Sequence, residues 1–491
     1  MVYQAVLRRI VLSFIAIATA ISAPLAHAQS ISLLRDTEIE TFLSDYADPL
    51  MEVAGVNPNS IEILLVNDPS LNAFAGGRYM GFHTGLLTIA DTPNEVEAVI
   101  AHEVAHLAGG HSASRADAFA TASRPMLLSL LLAAGAVAAG APEAGIGLIG
   151  LGQTVGTANA LRFTRGQEAT ADQSSITYLD ALGKSSKGAL DLWTKVRNSQ
   201  IIRGRRINPY MQTHPLANDR LTALQQRAEA SPYFHVEDTP EEIHRLHLIQ
   251  AKIHGFLHDV NEVLRRYPLS DQSEPAHYAR AVAYYRQSKI DEAISEIETL
   301  TEGRPDHPYF HELKGQILFE YGRTVEAVAP YKRAIELRPD VALFRISLGR
   351  ALLASNEPAM IEEATEHFQR ALFLERDNAF GWFELARAYS ALGDDAMANL
   401  ATAESRYHAG ARGDANVFAR RAIARLDRGS SEWRQAMDII LATQPAEGGA
   451  PLPDAGTSGE APAPNPQPQA PPSRPDVPDP IPQLRYLAPN N

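Results

Sequence analysis

The sequence predicts an α+β domain followed by an all-α superhelix of repeated helical hairpins. Three observations carry this. Strand-like runs at 61–66 and 71–87 lead into a capped apolar helix that holds 102-HEVAH-106. From about residue 240 to 442 the chain reads as helix after helix, rich in Ala, Leu, Glu and Arg. Within that stretch small and aromatic residues recur at intervals of 34. At 491 residues the chain is also too long for one ordinary core.

Residues 1–28 read as a signal peptide. Arg8 and Arg9 precede an apolar run from Ile10 to Ala23, and Ala26-His27-Ala28 is a small-x-small cleavage site. The run is short for a membrane span, and an uncleaved anchor is the alternative. With no cysteine anywhere, no lipid is attached at the site and no disulfide supports the exported fold. The full chain has a formal charge of −14, and removing two arginines makes it more acidic still, which argues against nucleic acid as a partner.

Residues 29–235 mix helix and strand. A helix is expected near Leu33 to Val53, then strands at 61-IEILLV-66 and through 71–87, with Gly76-Gly77 as a hairpin turn. Thr92-Pro93-Asn94-Glu95 supplies a cap, a proline at the first helical position and a reciprocal glutamate, and Gly109-Gly110 ends the helix. Residues 161–182 read as a further helix.

Residues 240–442 carry the repeat. Pro305 and Pro339, Ala293 and Ala327, and Gly315 and Gly349 are each 34 apart, the tetratricopeptide period. In the strongest copy small residues let two helices of a hairpin touch while Tyr331 fills the next groove. A third copy with Ala364, Phe368 and Ala371 follows 37 residues later, through three residues inserted near Glu357-Pro358-Ala359. A fourth opens with Trp382, Leu385 and Tyr389. Such arrays present a concave face to a protein or peptide. Residues 443–491 form a proline-dense tail expected to be solvated, since 451–482 has almost no large apolar residue.

His102 and His106, four apart on one helix, face the same point and suit a metal ion; Glu103 lies on the adjacent edge, placed to take a proton from water that the metal acidifies. The bland alternative is a pair of buried histidines satisfied by hydrogen bonds. A third ligand is needed. His111 stands one residue short of the spacing that a ligand on the same turn requires, so it reads as a turn or supporting residue. The other route is Glu168 on the later helix, with Asp172 four residues on to accept a hydrogen bond from a ligating imidazole, and with Ala169 and Ala171 small enough for close packing.

HEVAH, the later 168-EATAD-172 and the hairpin 72-NAFAGG-77 leading into Thr84-Gly85-Leu86 resemble the gluzincin metallopeptidases, the family of the CaaX prenyl protease. The leader and repeats are similar to the branch of that family found in the Gram-negative periplasm. The resemblance implies a zincin-like fold and one zinc ion (Zn2+) held by His102, His106 and Glu168, with Glu103 as general base. It implies that Asn72, Ala73, Phe74 and Ala75 form the edge to which a peptide substrate adds as a strand. It implies protein or peptide clients, outer-membrane β-barrel proteins or their assembly machinery, reached through the repeats. The loop 213-THPLANDR-220 resembles a His-Pro segment near the metal: His214 is a fourth ligand that keeps the site latent or a donor to the tetrahedral intermediate, and Arg220 serves likewise or orients the loop.

The charge-free run 126–152 is broken by Gly135, Gly140 and Pro142 and reads as a buried or lid-like hairpin before a membrane helix, with peripheral membrane contact as the second reading. Two rivals to a soluble peptidase stand beside it: a chaperone-like binding scaffold with weak or latent activity, and a membrane-associated protease.

Overall fold

The computed structural model describes residues 32–111, 164–203, 214 and 218–444. The expected leader, the apolar run 126–152 and the tail beyond 444 lie outside the described residues.

One mixed sheet has the strand order β1-β2-β4-β3, with β1 at Leu33–Leu34, β2 at Glu62–Val66, β3 at Ala73–Gly76 and β4 at Tyr79–His83. β3 and β4 form the expected antiparallel hairpin, turned at Gly77, whose φ of +61° suits glycine. β2 runs parallel to β4. The ring of Phe74 lies where a side chain on Gly81 would sit, so the hairpin covers its own glycine.

Two expectations shift. The first helix, α1, is Thr37–Val53 rather than starting near Leu33. Asp36 accepts the Ile39 N–H and fixes the start, which leaves Leu33 and Leu34 to pair with Val66 and Leu65. The strand-like run 71–87 ends at His83, and Thr84–Ile89 is a short helix, α2. The Gly85 N–H and the Thr84 hydroxyl both donate to the Asp68 carbonyl, and this turns the chain out of the sheet.

Helix α3, Pro93–Ala108, carries the motif and is buried at every position from Pro93 to His106. Its polar residues therefore need partners inside the protein. The expected reciprocal cap does not form: Thr92 makes no side-chain cap bond, and Glu95 instead accepts from the Asp91 N–H and pairs with Lys195. Gly110, at φ +60°, ends the helix as expected. Helices α4 (164–181), α5 (Lys187–Arg203) and α6 (Asn218–Glu229) follow. Asn94 fixes α5 to α3, since its amide donates to the Ser185 carbonyl at 2.6 Å and accepts from the Gly188 N–H at 2.8 Å.

From there the described chain is helical: α7 Pro240–Leu257, α8 Val260–Arg266, α9 Glu274–Arg286, α10 Ile290–Gly303, α11 Pro308–Glu320, α12 Thr324–Leu337, α13 Ala342–Leu353, α14 Pro358–Leu374, α15 Ala379–Ala391, α16 Asp395–His408, α17 Arg412–Ile423 and α18 Ser431–Thr443. The repeated glycines explain the pairing. A Cβ on Gly315 would lie 2.7 Å from the Tyr331 ring, and one on Gly349 would lie 2.6 Å from the Phe368 ring. Tyr331 thus fills the gap in its own hairpin rather than the next groove. The three inserted residues are absorbed by α14, which has 17 residues where α12 has 14.

A single hydrophobic core runs from Leu34 through the sheet and α3 to Ile317. Polar groups reinforce the same contact. Lys252, 1% exposed, places its ammonium 2.7 Å from Asp36 and 2.9 Å from Glu38, and the Tyr278 hydroxyl donates to Glu38. Gln250 donates to the carbonyls of Leu87 and Ala90. Among the described residues, no helix is long and apolar enough to cross a membrane.

Candidate metal centre

The i, i+4 spacing on α3 points His102 and His106 together, with Nε2 atoms 3.1 Å apart. Helix α4 brings Glu168 against them: its carboxylate oxygens lie 3.3 Å from His102 Nε2 and 3.5 Å from His106 Nε2. His214 closes the group, with Nδ1 3.0 Å from Glu168 Oε2 and 3.3 Å from His102 Nε2. One ligand atom from each of these four buried residues falls within 4.8 Å of the others. Three imidazole nitrogens and a carboxylate converging in a buried space are a metal donor set. Among the described residues Glu103 Oε1 is buried without a hydrogen-bond partner, 3.4 Å from His214 Nε2, the condition of a base whose partner is a water or substrate.

Supporting contacts set the ligands' orientation. Asp172 lies one turn beyond Glu168, and its Oδ1 is 3.1 Å from His102 Nδ1, so Nε2 is left for a metal. Arg220 grips Asp172 through Nε and Nη2, the latter at 2.8 Å, and pairs with Glu168 through Nη1, 3.1 Å from Oε2, with its guanidinium over the Trp193 ring. Ala171 is buried in the α4 packing, whereas Ala169 is exposed and contributes nothing to close approach.

Charge follows from these contacts. Burial alone raises the Glu168 and Asp172 carboxyls, but hydrogen bonds from His102, His106 and His214 to Glu168, and from Arg220 and His102 to Asp172, hold both well below the usual carboxylate range. Burial lowers His102, yet Asp172 and Glu168 outweigh it and push its metal-free pKa up to about 9. Burial holds His106 below its ordinary value.

Of the segment Asn72 to Ala75, the last three residues lie in β3, an outer strand of the sheet that packs beside α3. His111 had been set aside as a ligand, and its Nδ1 lies instead 2.8 Å from Nδ1 of His106, the ring nitrogen that faces away from the group. Gln167 donates to the His111 carbonyl. The contact fits the supporting place read for His111 in the sequence, five residues beyond His106 across the Gly109-Gly110 turn, whereas the seat of Arg220 on Trp193 has no signal in the sequence because it depends on how two separate helices cross.

Fold and site define a metallopeptidase: residues 34–228 match the model for Peptidase family M48 and are a domain of that family, and residues 278–342 match the model for the Tetratricopeptide repeat. The chain is 26% identical over 391 residues to the Beta-barrel assembly-enhancing protease of Escherichia coli, covering 78% of each chain. It is 25% identical over 367 residues to the Putative beta-barrel assembly-enhancing protease of Vibrio cholerae, covering 72% of this chain and 74% of that one. Metalloprotease LoiP of Escherichia coli is 28% identical over 197 residues, 38% of this chain and 72% of that protein.

Proposed function

We propose that this metallopeptidase is a zinc-dependent endopeptidase of the Gram-negative periplasm that acts on polypeptides during outer-membrane protein assembly, with clients recruited by the repeats. The convergence of His102, His106 and Glu168 beside a buried Glu103 oxygen that has no hydrogen-bond partner among the described residues supports the chemistry most directly. The assembly role and the compartment rest on similarity to proteins named for beta-barrel assembly and on the leader-like residues 1–28.

In this reading His102, His106 and Glu168 hold one zinc ion. Bound zinc supplies a Lewis acid that polarises a peptide carbonyl and acidifies water. Glu103 accepts the proton of the attacking water and returns it to the leaving amine. Asp172 keeps His102 in the ligating tautomer, and Arg220 holds both carboxylates in place. The outer edge of β3 with the residue before it, from Asn72 to Ala75, receives the substrate backbone as an added strand. His214 is read as a fourth ligand that keeps the site latent, because its Nδ1 lies among the ligand atoms.

The test is digestion of an unfolded protein by the purified mature chain with and without chelator. Cleavage that stops with chelator and with Glu103→Gln supports the peptidase. A chain that holds zinc and cleaves no client leaves the binding-scaffold reading standing. For latency, His214→Ala raises the basal rate; a lowered rate assigns His214 to transition-state stabilisation instead.

A further inference from the structure

The first helices of successive hairpins form one face of the repeat array, the face that such arrays turn inward. Equivalent positions recur 34 and then 37 residues apart: Tyr309, Leu343 and Phe380 in one row, and Glu312, Ile346 and Phe383 in the next. Upstream, the peptidase part of the chain reaches this face. The Tyr309 hydroxyl meets Thr41 and the Tyr278 hydroxyl donates to Glu38, both on α1, and Tyr309, Leu343 and Ile346 are buried.

The face opens at α15. Phe383 is 47% exposed, and the side chain of Arg387 is 54% exposed. The Arg350 guanidinium lies 5.0 Å from the Phe319 ring centre and 5.6 Å from that of Phe380, which stacks on Phe383 at 6.4 Å. Buried Glu384 holds Arg387 at 2.6 Å and Arg350 at 3.5 Å. The result is an aromatic strip edged with guanidinium donors. It suits an extended segment whose aromatic and aliphatic side chains meet the rings while its carbonyls accept from the arginines.

The tail carries one segment of that kind. Beyond residue 444 the large apolar residues are Leu452, Val477, Ile481, Leu484, Tyr486 and Leu487; four of them fall within 481-IPQLRYL-487, and Tyr486 is the one aromatic residue. Pro482 disfavours a helix there and biases Ile481 to an extended backbone. Forty residues separate Gln444 from Leu484, and at roughly 3.1 Å per residue a proline-rich chain of that length spans on the order of 100 Å, several times the length of any helix in the array. Tethering makes the encounter intramolecular, with an effective concentration on the order of millimolar.

We propose that residues 481–487 dock on the strip formed by Phe380, Phe383, Arg350 and Arg387, so that the tail covers the open part of the repeat face in its own chain. The docking does not depend on peptidase activity, and its failure leaves the peptidase reading untouched.

The absence of cysteine makes a crosslinking test clean. In the full-length chain, Ser390→Cys, an exposed position one turn beyond Arg387, is paired with Ala488→Cys, and in a second protein with Ser458→Cys. Under mild oxidation the 390–488 pair forms an intramolecular disulfide at least about tenfold faster than the 390–458 pair. Adding Phe383→Ala or Tyr486→Ala slows it to the control rate; both side chains are expendable for folding, since Phe383 is exposed and Tyr486 lies in the tail. Equal rates for the two pairs, a disulfide that links only two copies, or indifference to both alanine variants overturns the proposal.

Discussion

Arg220 and Glu168 are joined by an ion pair of 3.1 Å between Nη1 and Oε2, while the same guanidinium clamps Asp172. A residue that is near the motif helix neither in sequence nor on the same element thus holds both the Glu168 carboxylate and the Asp172 carboxylate that faces His102. Arg220→Lys loses the planar fork, and a point charge cannot hold both carboxylates. The expected outcome is a loss of about 10–100-fold in zinc affinity by competition titration, with the helical circular dichroism signal unchanged.

Asp172→Asn tests the tautomer of His102 separately. An amide that presents its nitrogen to Nδ1 no longer accepts the imidazole proton, so Nε2 is less available to the metal. Zinc affinity falls by about 10–100-fold, and cleavage falls by a similar factor at subsaturating zinc but recovers at high zinc. Cleavage that stays low at saturating zinc would place Asp172 in the chemistry itself.

These two predictions mark where the sequence was legible and where it was not. His102, Glu103, His106, Glu168 and Asp172 are readable because each relation between them is a spacing on one helix or a motif pair. The seat of Arg220 over Trp193 is not readable that way, since it arises from a helix crossing that no local spacing encodes, whereas His111 beside His106 is a contact across one turn. Local competition explains the fold-level misses. Asp36 outcompetes an earlier helix start, and Glu95 reaches past Thr92 to Asp91. The hairpin and the 34-residue period were legible because glycine and ring packing leave direct marks on the sequence.

Stability depends on pH through Glu97, which is 2% exposed on the motif helix. Burial pushes its carboxyl up to about 7, against opposing contributions from Lys184 and Asn94. A folded-state pKa above the free value means that the native protein binds this proton more tightly than the unfolded chain. The contribution is fully present below about pH 4.5 and is lost as pH rises through about 7. Glu97→Gln therefore raises the melting temperature at pH 8, by an amount on the order of 1–3 kcal/mol of stability, and changes little near pH 5. Melting curves of both proteins from pH 5 to 8 check the sign, and a constant difference across that range contradicts it.

Packing in the repeats gives opposite outcomes for one substitution at two glycines. Gly315→Ala puts a methyl 2.7 Å from the Tyr331 ring and costs about 1–3 kcal/mol, despite the better helix propensity of alanine. Gly303→Ala meets nothing within 4 Å and is neutral or stabilising by up to about 1 kcal/mol. Urea denaturation of the two variants measures both.

Zinc content most directly tests the claim that the metal centre is shared between α3 and α4. Elemental analysis of purified, refolding-competent protein should find about one zinc per chain in the wild type, in Glu103→Gln and in His111→Ala, and far less in Glu168→Gln. Retention of zinc by Glu168→Gln together with its loss from His111→Ala would show that the third ligand lies on the motif segment and that the account of the site is wrong.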